Sequence, residues 1–278
     1  MENGIRKLIL NYVSKSVIVD VPFHYSKQQK SRYIKTSLRS QVIGDFLFID
    51  CDTIINEELK DIDNLSCEIA AVPDCHLSIK YSWMKTNIKK WSSVLGWKYS
   101  ENDFYFNSGV LFVKDTDDTH QFYEYWHSLW RKNVLKGINY DQPSLAKANE
   151  LMGCKICKLD DIWNCQINAN GLPFLSKAKI IHYFASGMGA KSYVPYKFLD
   201  KKIFCRIKYE GFLSDEIKLM IRNSKSAFNP FCTVIGYDDA RFLCSSTYGL
   251  YIKYPNVYKI INVMSRMFLF LLRFFLKK

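Results

Sequence analysis

Two carboxylates one residue apart, Asp50 and Asp52, close a short apolar run, Phe46-Leu47-Phe48-Ile49, that opens on Gly44-Asp45. A run of this length between a glycine turn and polar residues predicts a buried strand. Alternate residues of a strand share a face, so both carboxylates can approach one ion. Two hard oxygen ligands suit Mg²⁺ or Mn²⁺, with ligand phosphates completing the shell; the competing reading is a pair of acids that solvates a loop. In open α/β sheets ligands sit beyond the carboxyl ends of strands, which is where this pair falls. A second short strand, Lys179-Ile180-Ile181, ends on His182 in the same way. Between the two lie Asn107-Ser108-Gly109, inside an aromatic stretch, and Asp141-Gln142, ahead of a helix entry.

The elements that must position these groups follow from periodicity. Residues 4–14 read as a short amphipathic helix, 16–21 as a β-branched strand stopped by Pro22, and 32–42 as a helix. After the central strand, residues 67–72 form a second apolar run, and 104–113 read as two strands broken by an Asn-Ser-Gly turn. Residues 120–135 and 144–151 read as helices, and 155–159 and 179–181 as strands. The α-β-α-β order predicts an α/β fold with a mostly parallel sheet flanked by helices.

With 278 residues, 48% hydrophobic and 15% aromatic, the chain has the material for a sizeable core, which excludes a disordered protein. The net charge of +12 points to an anionic partner. Six basic residues and no acidic ones fall from Lys253 onward, so half of that excess sits in the tail. Nine cysteines without framework spacing favour a reducing compartment. Cys154-Lys155-Ile156-Cys157 has zinc-type spacing, but no second pair supports a zinc site. No signal peptide is read at the start.

Four motifs then occur in order: Asp50-Cys51-Asp52, Phe106-Asn107-Ser108-Gly109-Val110, Tyr140-Asp141-Gln142 and Ile181-His182-Tyr183. Together, over about residues 16–191, they resemble glycosyltransferase family 8, of GT-A fold and bacterial cell-surface glycan type. The resemblance implies a retaining hexosyltransferase that uses a UDP-sugar donor and Mn²⁺ or Mg²⁺. It implies Asp50, Asp52 and His182 as metal ligands, with Asn107 and Ser108 on the transferred sugar. Asp141 and Gln142 would lie beside the anomeric carbon, stabilising positive charge there. Arg32 and Lys35 match a basic helix near the diphosphate, a solvated helix face being the alternative. Gly187 and Lys191 stand where the family has a phosphate-gripping glycine and lysine, although the spacing from His182 is longer here. Relatives also carry a β-α-β unit ahead of this segment that holds uracil and ribose. Only 49 residues precede Asp50, so the chain is expected to lack that unit, leaving a strand edge uncovered and the donor cleft open on that side.

Residues 256–278 are almost continuously apolar, but Lys259, Arg266 and Arg273 recur every seven residues along one helical stripe. A spanning helix needs about 20 apolar residues with few charges. The pattern instead predicts an interfacial helix against anionic lipid, with a helix packed on the domain as the alternative. The expected organisation is a transferase domain over 1–200, a helical extension over 201–253 and the amphipathic helix over 254–278. The expected activity is hexose transfer to a lipopolysaccharide or capsule-type acceptor by a cytoplasmic enzyme, peripheral on the inner membrane face. Its partners are a UDP-sugar, a glycan or lipid-linked acceptor and an anionic membrane, with no nucleic acid. Two rivals are a non-catalytic, membrane-bound sugar-nucleotide or glycan binder and a metal-dependent nucleotidyltransferase.

Overall fold

A computed structural model describes residues 13–167, 169–183, 201–227 and 245–275. The chain divides into two compact units, Met1–Pro230 and Phe231–Lys278.

In the first unit, helix α1 (Lys27–Thr36) starts where Ser26 and Gln29 cap one another, each side chain accepting from the other's backbone N–H. Strands β1 (Phe46–Ile49), β2 (Thr53–Ile55) and β3 (Ile69–Ser78) follow. Helix α2 (Lys85–Leu95) ends at the left-handed Gly96. Strand β4 (Phe104–Val113) leads into α3 (Asp117–Val134), which has Thr116 as its cap, acids in its first turn and bases in its last. Helix α4 (Gln142–Leu151) carries Pro143 in its first turn, where a missing N–H costs nothing. Strands β5 (Ile156–Lys158), β6 (Cys165–Gln166) and β7 (Ile180–His182) complete the sheets, and helices α5 (Lys201–Glu210), α6 (Asp215–Arg222) and α7 (Ser224–Ala227) follow.

One sheet has the order β1-β4-β3-β5 and the other β2-β7-β6. Alternation along the strands sorts the core into two layers. Ile69, Ala71, Leu111 and Val113 pack with Phe122, Tyr123 and Trp126 of α3 and Leu145 and Ala148 of α4. Ala70, Val72, Val110 and Phe112 face Leu159, Trp163 and Ile180.

The α/β class is as expected, but the strand directions are mixed. Among the described strands β1–β4, β3–β4 and β2–β7 pair antiparallel, and only β3–β5 and β6–β7 pair parallel. The mostly parallel sheet expected from the α-β-α-β order is not what these strands form, because an apolar run reports burial on both faces and not direction. Residues 16–21 form no strand; they are mostly exposed, with no described strand beside them. Strand β1 is accordingly an edge strand among the described residues. The Asn-Ser-Gly segment is not a turn. It runs through the middle of one continuous β4, and the irregularity lies opposite, where β3 breaks register around Pro73. The helix read at 4–14 lies almost wholly outside the described residues. The first helix covers Lys27–Thr36 rather than 32–42.

Cys67 and Cys157 form a disulfide, joining the segment that enters β3 to β5 with their Cα atoms 6.2 Å apart. Strand pairing placed these distant cysteines together, which no spacing rule foresaw. The same bond removes Cys157 from the C-x-x-C, whose Cys154 is exposed and free.

In the second unit, α8 (Ser246–Lys253) precedes α9 (Pro255–Phe275). Among the described residues no helix is long and apolar enough to cross a membrane. Along α9 Ile260, Met264, Met267, Phe268 and Leu271 are all more than half exposed.

Candidate active site

Three strand ends build the site. Asp50 follows β1 on the face of Phe48, and its N–H still donates to Gly109 O at 2.7 Å. Three residues later the antiparallel pairing of β2 with β7 sets Thr53 opposite His182, and Tyr183 N–H donates to Asp52 O at 2.9 Å. This pairing carries His182 to the acid pair. One ligand atom from each of Asp50, Asp52 and His182 lies within 4.8 Å of the others.

The donor set fits a hard divalent cation with borderline tolerance, two carboxylates and one imidazole. His182 Nε2 lies 3.2 Å from Asp52 Oδ1, an ion-pair distance when the ring is protonated and a shared-cation distance when it is not. The other ring nitrogen, Nδ1, sits 2.9 Å from Asn164 Oδ1, leaving Nε2 to face the acids. Burial raises the Asp50 carboxyl above its ordinary value despite the neighbouring Lys35. Burial also pushes Asp52 upward, but the hydrogen bond and charge of His182 outweigh it and hold that carboxyl low.

Helix α1 supplies a buried cation. Lys35 Nζ is 2.9 Å from Asp50 Oδ2, 3.6 Å from Asp141 Oδ2 and 3.2 Å from Ser108 O. Arg32, one turn earlier on the same helical face, places Nε 2.9 Å from Asp141 Oδ1. Ser108 Oγ donates to Asp141 Oδ2 at 2.6 Å, and Trp126 Nε1 donates to the Asp141 carbonyl at 3.0 Å. Burial pushes the Asp141 carboxyl up, yet the charges of Lys35 and Arg32 and the Ser108 bond leave it below the usual range. Asp141 is thus a buried, ionised carboxylate at the start of α4.

The remaining partners are carboxamides around Asp74. Its Oδ1 accepts from Asn107 Nδ2 at 2.9 Å and Gln142 Nε2 at 3.2 Å. Gln142 Nε2 also lies 3.2 Å from Phe106 O. Asn107 Oδ1 accepts from Gly109 N at 2.9 Å and Asn164 Nδ2 at 3.0 Å.

Of the sequence candidates, the structure therefore gathers Asp50, Asp52, His182, Asp141, Gln142, Asn107, Ser108, Arg32 and Lys35 into one connected cluster. Arg32 and Lys35 are ion-paired within it rather than forming a solvated helix face. Gly187 and Lys191 lie outside the described residues. Asp74 and Asn164 were missed. Asp74 stands at the end of an apolar run, as Asp50 does, a signal hidden by the intervening Pro73. Asn164 had no signal beyond lying next to a buried Trp163.

Residues 25–191 match the family model described as glycosyl transferase family 8. The chain belongs to that family. Family membership brings the GT-A class with it and accounts for the ordered motifs, all four of which lie inside the matched residues. No curated protein matches the sequence. Among solved structures, the chain is similar to galactosyltransferase LgtC in complex with donor and acceptor sugar analogues, at 16% identity and a TM-score of 0.39, covering 55% of this chain and 57% of that one. Mouse xyloside xylosyltransferase 1 is similar at 14% identity and a TM-score of 0.39, covering 56% and 64%. A glycosyltransferase involved in the glycosylation of the major capsid of PBCV-1 is similar at 15% identity and a TM-score of 0.41, covering 66% and 85%. The chain spans less than two thirds of the length of the first two.

Proposed function

We propose that the protein transfers a hexose from a UDP-sugar to a cell-surface glycan acceptor of the lipopolysaccharide or capsule type, with Mn²⁺ as its metal and with retention of anomeric configuration. One observation carries this reading: a carboxylate–carboxylate–imidazole set and the ionised Asp141 are linked through the single ammonium of Lys35.

Asp50, Asp52 and His182 would hold the cation, which when bound neutralises charge developing on the departing diphosphate. In the transfer, the bond from the anomeric carbon to the diphosphate oxygen breaks, and a bond to the acceptor oxygen forms. The acceptor's hydroxyl proton leaves with the diphosphate or solvent. Asp141, kept ionised by Lys35 and Arg32, supplies negative charge where the sugar ring becomes electron-poor. Gln142, anchored on Asp74 and the Phe106 carbonyl, fixes the start of α4 and so the position of Asp141. Asn107 and Ser108 line the sugar's place and orient its hydroxyls. Lys191 and Gly187 are assigned to the phosphates by their family positions alone.

The tail adds a location on the cytoplasmic face of the membrane. Helix α9 sets Ile260, Met264, Met267, Phe268 and Leu271 along one side and Lys259 and Arg266 along another, a charge pattern suited to anionic lipid. Peripheral attachment would keep the enzyme beside a lipid-linked acceptor.

The test is turnover of a panel of UDP-sugars by the full chain with and without Mn²⁺, read as UDP release and as labelled sugar on a membrane acceptor fraction. Mn²⁺-dependent transfer that disappears in Asp141→Asn supports the proposal. UDP-sugar binding without turnover would favour the non-catalytic binder, and nucleotide transfer without sugar transfer would favour the nucleotidyltransferase.

A further inference from the structure

Four buried side chains form a continuous hydrogen-bonded line that ends on the ring of His182. Asp74, Asn107, Asn164 and His182 are each 5% exposed or less. Asn107 Nδ2 donates to Asp74 Oδ1 at 2.9 Å, Asn164 Nδ2 donates to Asn107 Oδ1 at 3.0 Å, and His182 Nδ1 meets Asn164 Oδ1 at 2.9 Å.

The direction of this line is dictated from one end. Asn107 turns its NH₂ toward Asp74 Oδ1, which accepts. A backbone N–H only donates, and Gly109 N–H lies 2.9 Å from Asn107 Oδ1, which forces the same orientation independently. Asn107 Oδ1 then has only acceptance to offer Asn164, whose NH₂ must face it. That leaves Asn164 Oδ1 toward the imidazole, where only an N–H satisfies it. Nδ1 therefore carries a proton, whether or not Nε2 holds a second one toward the Asp52 carboxylate 3.2 Å away. Nε2 is the nitrogen presented to Asp52 and Asp50.

We infer that Asn164, Asn107 and Asp74 are positioning residues that keep a proton on His182 Nδ1 and so leave Nε2 as the nitrogen that a metal takes. Outer partners of this kind commonly set ligand orientation and basicity in histidine metal sites. Asp74 is itself planted by the break in β3. Cys75 and His76 both have φ of 60°, unusual for residues with a Cβ. The Gln166 amide holds that break, accepting from Cys75 N–H and donating to Pro73 O, each at 2.8 Å. Asn170 Nδ2 donates to Cys75 O at 3.2 Å. The Nδ1 proton of a histidine on β7 is thus held from a bulge on β3. The functional consequence rests on the metal reading proposed above, but the Nδ1 proton does not.

Two measurements on the full chain decide it. The first is the ¹⁵N spectrum of His182 at pH 8 without metal, using histidine-labelled protein. A protonated Nδ1 is expected for wild type, in a neutral ring or an imidazolium, and a bare Nδ1 overturns the inference. The second is Mn²⁺ affinity by titration. Asn164→Leu is expected to weaken binding by about 10- to 100-fold, the range typical of lost outer partners. Asn164→Asp still accepts from Nδ1–H but has no NH₂ for Asn107 Oδ1, so it is expected to weaken binding less than Asn164→Leu. Equal affinities in wild type and a folded Asn164→Leu overturn the positioning role. Should Asn164→Leu fail to fold, the wild-type spectrum still decides. A wild type that binds no Mn²⁺ defeats the metal reading, while the spectrum still decides the Nδ1 proton.

Discussion

Gly109 lies so close to His182 that a Cβ on the glycine would fall 2.2 Å from the imidazole Cε1 and 2.9 Å from Nδ1. The ring is held by Asn164 and cannot simply swing away. The small residues at the centre of β4 therefore make room for the histidine that pairs with the acid motif. Gly109→Ala is expected to destabilise the fold by about 1–3 kcal/mol, as overpacking does, because ring or strand must move. Mn²⁺ affinity should fall with it. Thermal melting and a Mn²⁺ titration check this, and a variant matching wild type in both would show the ring free to shift.

Asp52→Ala removes a proposed metal ligand that is 38% exposed on its side chain and tied to little besides His182. Mn²⁺ binding and UDP-sugar turnover should be lost, while the melting temperature changes by a few degrees at most. Parallel calorimetric binding and melting measurements separate the two effects.

Lys35 is a buried ammonium between two carboxylates, with its side chain 4% exposed. Lys35→Met removes the ammonium, which also lies 4.9 Å from the centre of the Phe48 ring, and leaves Asp50 without its ion-pair partner and Asp141 with Arg32 alone. Breaking a buried pair in this way is expected to cost about 3–5 kcal/mol. Urea denaturation of the variant at neutral pH measures it, and a loss under 1 kcal/mol, the worth of about one exposed pair, would mean the charges are already solvated.

His127 gives the fold a dependence on acid. Burial, with the charge of Arg131 second, lowers its pKa from 6.5 to about 4, and Nδ1 shares a 2.8 Å hydrogen bond with Thr36 Oγ1. The unfolded chain takes up a proton near pH 6.5 that the folded ring refuses until about pH 4. The contribution is therefore complete above pH 6.5 and is lost as pH falls toward 4. Denaturation midpoints across that window should decline in wild type and decline less steeply in His127→Gln.

For α9, deleting residues 256–278 should abolish sedimentation with vesicles containing anionic lipid. Raising salt should weaken binding of the intact chain, because headgroup attraction is screened over a Debye length of about 8 Å at physiological ionic strength. Binding that persists in the deleted chain, or that ignores salt, would place membrane contact elsewhere.

By itself the sequence determined the chemistry available to this protein. Asp50 and Asp52, His182, and the Asn107-Ser108 and Asp141-Gln142 pairs were legible because each stands where an apolar or aromatic run meets a short polar motif. The order of those motifs carried the family. Local patterning also placed β1, β5, β7, α3 and α4, since burial of one face leaves a period in the chain. Strand direction, the continuity of β4 through Asn-Ser-Gly, the Cys67–Cys157 bond and the roles of Asp74 and Asn164 were decided only by the tertiary structure. Each depends on which partner arrives from far along the chain: His182 against Gly109, Asn164 against Asn107, and Cys157 against Cys67. Periodicity records which face of an element is buried. It does not record what lies on the other side, and that is where this site is assembled.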